Sequence, residues 1–215
     1  LAGARLPASA VFFSAFVILL REGLEAILEL TAILAPLIKG GRRDALPYVH
    51  AGWIAALALG GCTWFVASYV IALSGATREV TEGITALVAA VILLYMGFWM
   101  HNKSYANRWQ TFLQEQLRTA LSARTMWALA LVSFLAVYRE AFETVLFYQA
   151  LWTQAAPAYI PVLGGLLAAT VTLVGLGWLL LRGSIHLPLG LFFGVTSALL
   201  VLLAVIFVGK GIAAL

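Results

Sequence analysis

The segment VFFSAFVILLREGLEAILELTAILAPL, residues 11–37, decides the fold, because it puts charged side chains in the middle of a long apolar run. The segment MWALALVSFLAVYREAFETVLFYQAL, residues 126–151, repeats this arrangement. We call residues 21–25 (REGLE) the first motif and residues 139–143 (REAFE) the second motif, since both read Arg-Glu-x-x-Glu. An ionisable group near the centre of a bilayer costs roughly 2.5–3.5 kcal/mol on insertion scales. Six such groups at two matching places therefore indicate a functional site.

The composition predicts a membrane protein built from helices. Of 215 residues, 63% are hydrophobic and 10% are charged, and the mean hydropathy is +1.01. Soluble domains carry about 25% charged residues. The apolar runs have the length of membrane-spanning helices, about 20 residues. We therefore expect an all-α polytopic membrane protein in contact with the lipid bilayer, and we assign its net charge of +4 to loops rather than to a nucleic-acid-binding surface.

Glycine, proline and charged residues divide the chain into six predicted spans. The spans are expected at residues 10–38, 47–73, 80–100, 125–151, 159–181 and 188–209. The run KGGRR, residues 39–43, is predicted to end the first span. The whole chain, 1–215, then forms a single transmembrane domain. Its parts are repeat one at about 10–100, a cytoplasmic polar connection at about 101–124 and repeat two at about 125–211.

The distribution of lysine and arginine predicts the orientation. Three basic residues fall on the side of the N-terminus, namely Arg5, Arg78 and Lys210. Eight fall on the opposite side, namely Lys39, Arg42, Arg43, Lys103, Arg108, Arg118, Arg124 and Arg182. Because basic loops stay in the cytoplasm, the N-terminus is predicted to lie outside. The expected location is the cell membrane, as a multi-pass protein of the bacterial cytoplasmic membrane.

The two halves of the sequence match each other. The two motifs stand 118 positions apart, and AGWIAA at residues 51–56 matches GGLLAA at residues 164–169 with a spacing of 113. Three spans per repeat is an odd number, so the second repeat enters the membrane from the opposite side. We therefore predict two inverted three-helix repeats with a substrate site near the midplane at their interface, as in many transporters.

Helical geometry brings the charges of each motif together. At 100° per residue, the two glutamates of a motif lie on one helical face. Each arginine precedes the second glutamate of its motif by four residues, which is ion-pair spacing on a helix. If the first and fourth spans pack antiparallel, the carboxylates converge near the midplane. The candidate metal ligands are Glu22, Glu25, Glu140 and Glu143, with Arg21 and Arg139 as the motif arginines.

The predicted cluster has an excess of negative charge. With Glu29 included, five glutamates face two arginines, which leaves a formal charge of −3 if all are ionised. Crowded carboxylates in a medium of low dielectric either take up protons or bind a cation. Oxygen donors select hard cations. The histidines are predicted at cytoplasmic ends, which disfavours zinc or copper(I) as the central cargo, and these residues are His50, His101 and His186.

Several side chains outside the four candidate ligands have open roles. Glu29 has Phe147 at the matching repeat position, so it is either an auxiliary ligand or a bystander. Glu79 and Glu82 start the third span, where they either favour the positive helix N-terminus or form an entry relay, with Glu82 the deeper candidate. Tyr138 adjoins the second motif and is a candidate hydrogen-bond donor to it. Both motifs also admit a structural role as ion pairs that fix helix register.

The paired motifs resemble those of the high-affinity iron permease family, the oxidase-dependent iron transporters of fungi and bacteria. The resemblance continues through EG at residues 82–83, FWMH at 98–101 and GKG at 209–211, so it covers nearly the whole chain. It implies that the motif glutamates bind iron during permeation. It further implies iron as the transported substrate, no permanently bound cofactor, and an extracytoplasmic oxidase or iron-delivery protein as a partner. A seventh helix is expected beyond the end of this sequence.

Four functions are compatible with these observations. The leading hypothesis is inward transport of ferric or ferrous iron through the paired carboxylate sites. A proton-coupled carrier of another hard divalent cation, such as manganese, is the first alternative, and a structural membrane subunit is another. An intramembrane carboxylate metalloenzyme would be expected to add histidines in Glu-x-x-His spacing, which neither motif has. We therefore expect a transporter and not an enzyme.

Overall fold

A computed structural model describes residues 7–73, 126–155, 159–181 and 189–214, together with positions 80, 84, 87, 88, 90, 91 and 94. Throughout these residues the regular structure is helical and contains no strand. The main helices are α1 (Ala8–Lys39), α2 (Leu46–Leu73), α3 (Met126–Ala155), α4 (Ile160–Leu181) and α5 (Leu189–Ala214). A short 3₁₀ helix, Arg43–Ala45, joins α1 to α2.

These helices agree with five of the six predicted spans. The bounds differ by one or two residues at most ends, but α3 continues four residues beyond its predicted end and α5 continues five beyond. The predicted third span has seven described positions, each of them helical. The connection at 101–124 lies outside the described residues. Also outside them lie the candidate residues Glu79, Glu82, His101 and His186, and the basic residues Arg5, Arg78 and Arg182.

The first helix ends where the glycine pair predicts. Gly41 has a φ of +71°, a conformation that glycine adopts without steric cost. Its N–H donates to the carbonyl of Ile38 at 3.2 Å, and the N–H of Arg42 donates to the carbonyl of Leu37 at 2.9 Å. These two bonds form a Schellman motif, which satisfies carbonyls at the end of the helix. The chain then turns directly into the short 3₁₀ helix.

The helices pack in a defined set of pairs. α1 lies against α4 and α3 lies against α2, while α1 and α3 also contact each other. The α1–α3 pair is antiparallel, because Tyr148 donates to the carbonyl of Ala15 whereas Arg139 faces Glu29. The other two pairs are parallel, since their contacts advance together along both chains, as in Gly165 with Phe12 and Leu173 with Gly23.

Two apolar clusters bracket the motifs along α1 and α3. One combines the N-terminal part of α1 with the C-terminal part of α3 and with α5, and includes Ile18, Phe147 and Phe207. The other combines the C-terminal part of α1 with the start of α2 and of α3, and includes Leu37 and Leu129. The charged motifs therefore lie between two packed apolar layers.

Within the described ranges, two helical stretches are long and apolar enough to cross a membrane, Arg43–Ala72 and Ile160–Leu180. A shorter apolar stretch covers Gly194–Gly209 in α5. α1 and α3 are less apolar because each carries a motif near its middle. Large side chains on the outside of α2 and α4 are exposed and apolar, including Phe65, Tyr69, Val171 and Val174. An apolar exterior around charged central helices is the pattern expected of a membrane protein.

Candidate metal centre

The two motifs occupy the middle of the two central helices. α1 has 32 residues and α3 has 30, and each motif begins about halfway along its helix. Because α1 and α3 run antiparallel, both motifs come to the same level of the molecule. The charged side chains point inward: Glu22 is 0% exposed, Arg21 1% and Glu140 2%. Charged residues are almost never this deeply buried unless they are paired or hold an ion.

Three carboxylates from the two helices converge. Glu22, Glu140 and Glu143 each offer an oxygen, and these oxygens lie within 4.8 Å of one another. Among the residues that the structure describes, one oxygen each of Glu22 and Glu143 and both oxygens of Glu140 accept no hydrogen bond. A buried carboxylate oxygen left in this state costs free energy unless a proton or a cation binds it. The three residues therefore form a compact all-oxygen donor set suited to a hard cation.

In the first motif the arginine is held by its own helix. Arg21 Nη1 donates to Glu22 Oε1 at 2.5 Å, and Arg21 Nη2 lies 3.2 Å from Glu25 Oε1. The pair with Glu25 has the spacing expected from the sequence. The contact with the adjacent glutamate was not expected, and it occupies one oxygen of Glu22.

In the second motif the arginine divides its contacts differently. Arg139 Nε donates to Glu143 Oε1 at 3.2 Å, whereas Glu140 Oε1 lies 3.6 Å away, beyond hydrogen-bond distance. Arg139 Nη1 lies 4.0 Å from an oxygen of Glu29, which belongs to α1. The second arginine therefore contacts both central helices.

The remaining sequence candidates fall at different distances from this set. Glu25 is held by Arg21 and is not one of the three converging residues. Glu29 faces Arg139. The Tyr138 hydroxyl bonds the hydroxyl of Thr63 on α2 at 3.1 Å, so the structure does not support the predicted hydrogen bond from this tyrosine to the cluster.

A cavity of about 560 Å³ leads to the carboxylates. Glu22 and Glu140 contribute to its lining, which is otherwise largely apolar. Along α3 the lining extends from Val137 to Trp152, and along the parallel helix α2 from Leu57 to Ser68. The cavity therefore runs from the motifs toward the level at which α2 and α3 end and α1 begins. On the opposite side of the motifs, the second apolar cluster is packed.

Sequence reasoning missed the cavity and the contact between Glu29 and Arg139. The structure supplies the antiparallel register that accounts for this contact, in which Ala15 meets Tyr148 and Glu22 meets Glu140. That register sets Glu29 about one to two helical turns before Arg139 on α3. Long helical side chains lean toward the N-terminus of their own helix, which is the direction from Arg139 to Glu29.

Buried carboxylates that face a cavity between apolar helices are typical of a class, membrane proteins with an ion, proton or substrate pathway. Comparison with known proteins makes the class specific. The chain belongs to the iron permease FTR1 family, which it matches over residues 12–215. No solved structure shows significant similarity to it.

Several relatives named as iron permeases are 32–36% identical to this chain. The chain is 32% identical over 206 residues to iron permease EfeU of Bacillus subtilis strain 168, covering 94% of this chain and 42% of that protein. It is 35% identical over 208 residues to ferrous iron permease EfeU of Escherichia coli O6:K15:H31, covering 94% and 71%. It is also 36% identical over 206 residues to a protein of Escherichia coli strain K12 that is named putative inactive ferrous iron permease EfeU. That match covers 94% of this chain and 71% of that protein. Identity at this level therefore does not by itself establish transport.

Proposed function

We propose that this protein carries iron ions across a membrane through the carboxylates of its two motifs. The observation that carries the proposal is the convergence of Glu22, Glu140 and Glu143 within 4.8 Å at the contact of α1 and α3. Membership of the iron permease family supports iron as the cargo. The name of the 35%-identical Escherichia coli relative favours the ferrous ion as the first form to test.

The donor chemistry supports a cation that prefers oxygen. Three glutamates supply oxygens alone, and iron in either oxidation state accepts carboxylate ligands. Two arginines lie beside the carboxylates and offset part of their charge without occupying every oxygen. Weak, partly compensated binding suits a transporter, because a cargo held too tightly cannot leave.

Contacts between the helices support the inverted repeat. Gly52 on α2 and Gly165 on α4 are repeat mates at the spacing of 113. A Cβ atom at Gly52 would overlap Ala130 and Ser133, and one at Gly165 would overlap Phe12 and Ala15. Positions 130 and 133 are the repeat mates of 12 and 15 at the spacing of 118. Equivalent glycines, one from each repeat, thus allow two equivalent close approaches between the repeats.

A second pair of contacts follows the same rule. Gly23 lies against the side chain of Leu173, and its repeat mate Ala141 lies near Gly60, the mate of Leu173. Matching contacts at two levels are difficult to obtain from chance alignment of apolar segments. They favour a pseudo-twofold axis between α1 and α3.

The predicted orientation gives the cavity a role. With the N-terminus outside, the cavity extends from the motifs to the external face. Helical rise of about 1.5 Å per residue then orders the carboxylates from outside to inside. Glu143 comes first, Glu22 and Glu140 follow together, and Glu25 comes last of the motif residues. This series forms a path for stepwise inward transfer at the cell membrane, with an external oxidase or delivery protein as the predicted partner.

Uptake of radioactive iron by cells or vesicles tests the proposal. Glu22, Glu140 and Glu143 are changed to Gln one at a time, because Gln keeps the shape and removes the charge. Asp44→Asn is the matched control, since Asp44 is an exposed carboxylate paired with Arg42 outside the cluster. We expect uptake to fall in the three Glu variants and to persist in the control. Undiminished uptake in all three would sink the proposal.

Manganese is the second candidate cargo, because an all-oxygen donor set also suits Mn²⁺. Competition separates the two ions. An excess of unlabelled Mn²⁺ that suppresses iron uptake as well as unlabelled iron does would favour a general carrier of hard cations. Suppression by iron alone supports the iron permease.

A further inference from the structure

The two arginines of the motifs hold their neighbouring glutamates differently. Arg21 hydrogen-bonds the first glutamate of its motif, Glu22. Arg139 hydrogen-bonds the second glutamate of its motif, Glu143, and leaves Glu140 at 3.6 Å. Within the described part of the chain, Glu140 is accordingly the motif glutamate whose two buried oxygens both accept no hydrogen bond. The two motifs share the Arg-Glu-x-x-Glu pattern, so the reason that their arginines bond different glutamates is a difference in their surroundings.

That difference lies on the opposite central helix. Arg139 Nη1 faces Glu29 of α1 at 4.0 Å. The repeat mate of Glu29 is Phe147 on α3, a fully buried aromatic side chain. Phe147 offers no carboxylate, so position 147 gives Arg21 no counterpart of the contact that Glu29 makes with Arg139.

We propose that Glu29 is a positioning residue, whose carboxylate holds the outer end of the Arg139 guanidinium across the helix interface. Attracted by Glu29 and hydrogen-bonded to Glu143, the planar guanidinium stays in ion-pair contact with Glu140 at 3.6 Å but makes no hydrogen bond to it. The carboxylate of Glu140 then presents both oxygens to the cavity and to the cargo. This inference rests on the proposed function, because it assigns Glu29 a role in cargo binding.

The geometry makes this role sensitive to small movements. The contact between Arg139 Nε and Glu140 exceeds hydrogen-bond distance by a few tenths of an ångström. A modest rotation of the guanidinium would close that gap and occupy an oxygen of Glu140. Glu29 attracts the far side of the same group and opposes the rotation. Its carboxylate does not belong to the three that converge within 4.8 Å, so a direct ligand role is the weaker reading.

The kinetics of iron uptake test the inference. Outer partners of metal ligands typically contribute 10- to 100-fold to metal affinity. We expect Glu29→Gln to raise the KM for Fe²⁺ about tenfold while the maximal rate changes little. Glu29→Asp keeps the charge and should restore part of the affinity, whereas Asp44→Asn should leave the KM unchanged. A Glu29→Gln variant with the KM of the unmodified protein overturns the inference.

A double-mutant cycle separates positioning from direct binding. If Glu29 acts through Arg139, Glu29→Gln has no further effect in an Arg139→Gln background. If Glu29 is itself a ligand, its effect persists there, and the inference is overturned. Anaerobic Fe²⁺ binding by the purified protein gives the same cycle where the arginine variant does not transport.

Failure of the broader proposal gives a different result. If the unmodified protein neither takes up nor binds iron, the proposed function falls and the role of Glu29 falls with it. If the unmodified protein transports iron and the cycle shows no coupling between positions 29 and 139, only the role of Glu29 falls.

Discussion

The first and second motifs have the same sequence pattern but different surroundings. Arg21 is 1% exposed and bonds its neighbour Glu22, entirely within α1. Arg139 is 23% exposed and contacts Glu143 on its own helix and Glu29 on the other. The first repeat therefore has a fully buried arginine, Arg21, and the second has a partly exposed arginine, Arg139, at the interface of α1 and α3.

The difference in burial between Arg21 and Arg139 indicates two different roles for the motif arginines. A fully buried arginine compensates nearby carboxylates, and its loss leaves them unpaired in a medium of low dielectric. An arginine at an interface can instead adjust how many carboxylate oxygens a cargo meets. Repeated motifs therefore need not contribute equally to one site, even when they lie at the same level of the molecule.

The largest expected effect is the loss of stability on removing the buried arginine, Arg21. Breaking a buried ion pair by deleting one partner costs about 3–5 kcal/mol. We expect Arg21→Met to lower stability by about that amount and Arg139→Met to lower it less, because the Arg139 side chain is 23% exposed. Thermal unfolding of the purified protein in detergent measures both. Equal losses would mean that the difference in burial has no energetic consequence.

The next effect concerns the carboxylates. Glu140→Gln should reduce iron uptake by more than about 100-fold, because loss of a ligand exceeds the typical loss of an outer partner. Its protein level should remain close to normal, since Glu140 accepts no hydrogen bond from the described residues and its ion pair with Arg139 is long, at 3.6 Å. Glu22→Gln should reduce both uptake and stability, because it takes a charged partner from Arg21. Transport assays combined with immunoblots separate the two outcomes, and a stability loss in Glu140→Gln would contradict the comparison.

The apolar runs, together with the glycine, proline and charged residues between them, predicted most of the helices. Five spans were placed within a few residues, and KGGRR at 39–43 predicted the end of α1 through the preference of glycine for positive φ. The extension of α3 to Ala155 was missed because polar Thr153 and Gln154 resemble a loop. Tertiary contacts continue the helix there, with Trp152 packed edge-on against Trp64 and stacked on Tyr159.

Relations between helices were less accessible from the sequence. Spacing within one helix correctly gave the pairs of Arg21 with Glu25 and of Arg139 with Glu143. The contact of Arg139 with Glu29 and the bond of Tyr138 to Thr63 depend on helix register and side-chain direction across an interface. Hydrophobic pattern alone sets neither quantity, and it also leaves no trace of a cavity that several helices share.

A smaller effect tests whether the two repeats pack alike. Gly52→Ala and Gly165→Ala each insert a methyl group where a neighbouring helix approaches closely. Overpacking of this kind costs typically about 1–3 kcal/mol. Gly175→Ala is the control, because a Cβ there meets nothing within 4 Å among the described residues. In detergent, Gly52→Ala and Gly165→Ala should both be less stable than Gly175→Ala, and by similar amounts. A large difference between their stability losses would weaken the proposed pseudo-symmetry.

The smallest effect concerns a hydroxyl that only one repeat possesses. Ser133 on α3 donates to the carbonyl of Val49 on α2 at 3.0 Å, while its repeat mate on α1 is Ala15. Hydrogen bonds between membrane helices contribute about 0.6 kcal/mol on average. Ser133→Ala should therefore lower stability by about that amount. The value is small because Ser133 also bonds the carbonyl of Ala130 in its own helix, which weakens the cross-helix contribution.

Thr172→Val provides the matched control for this hydroxyl. Thr172 bonds the carbonyl of Ala168 within α4, so its loss should leave the contact between helices unchanged. Thermal unfolding of the two variants side by side measures the difference. If Ser133→Ala matches the control, the hydrogen bond from Ser133 to Val49 adds nothing measurable to the α2–α3 contact. The two matching helix contacts are then more alike in energy than their sequences indicate. If Ser133→Ala is less stable than the control, the α2–α3 contact has a stabilising hydrogen bond that Ala15 cannot make in the matching α1–α4 contact. The donor then lies on the same helix that carries the more exposed arginine.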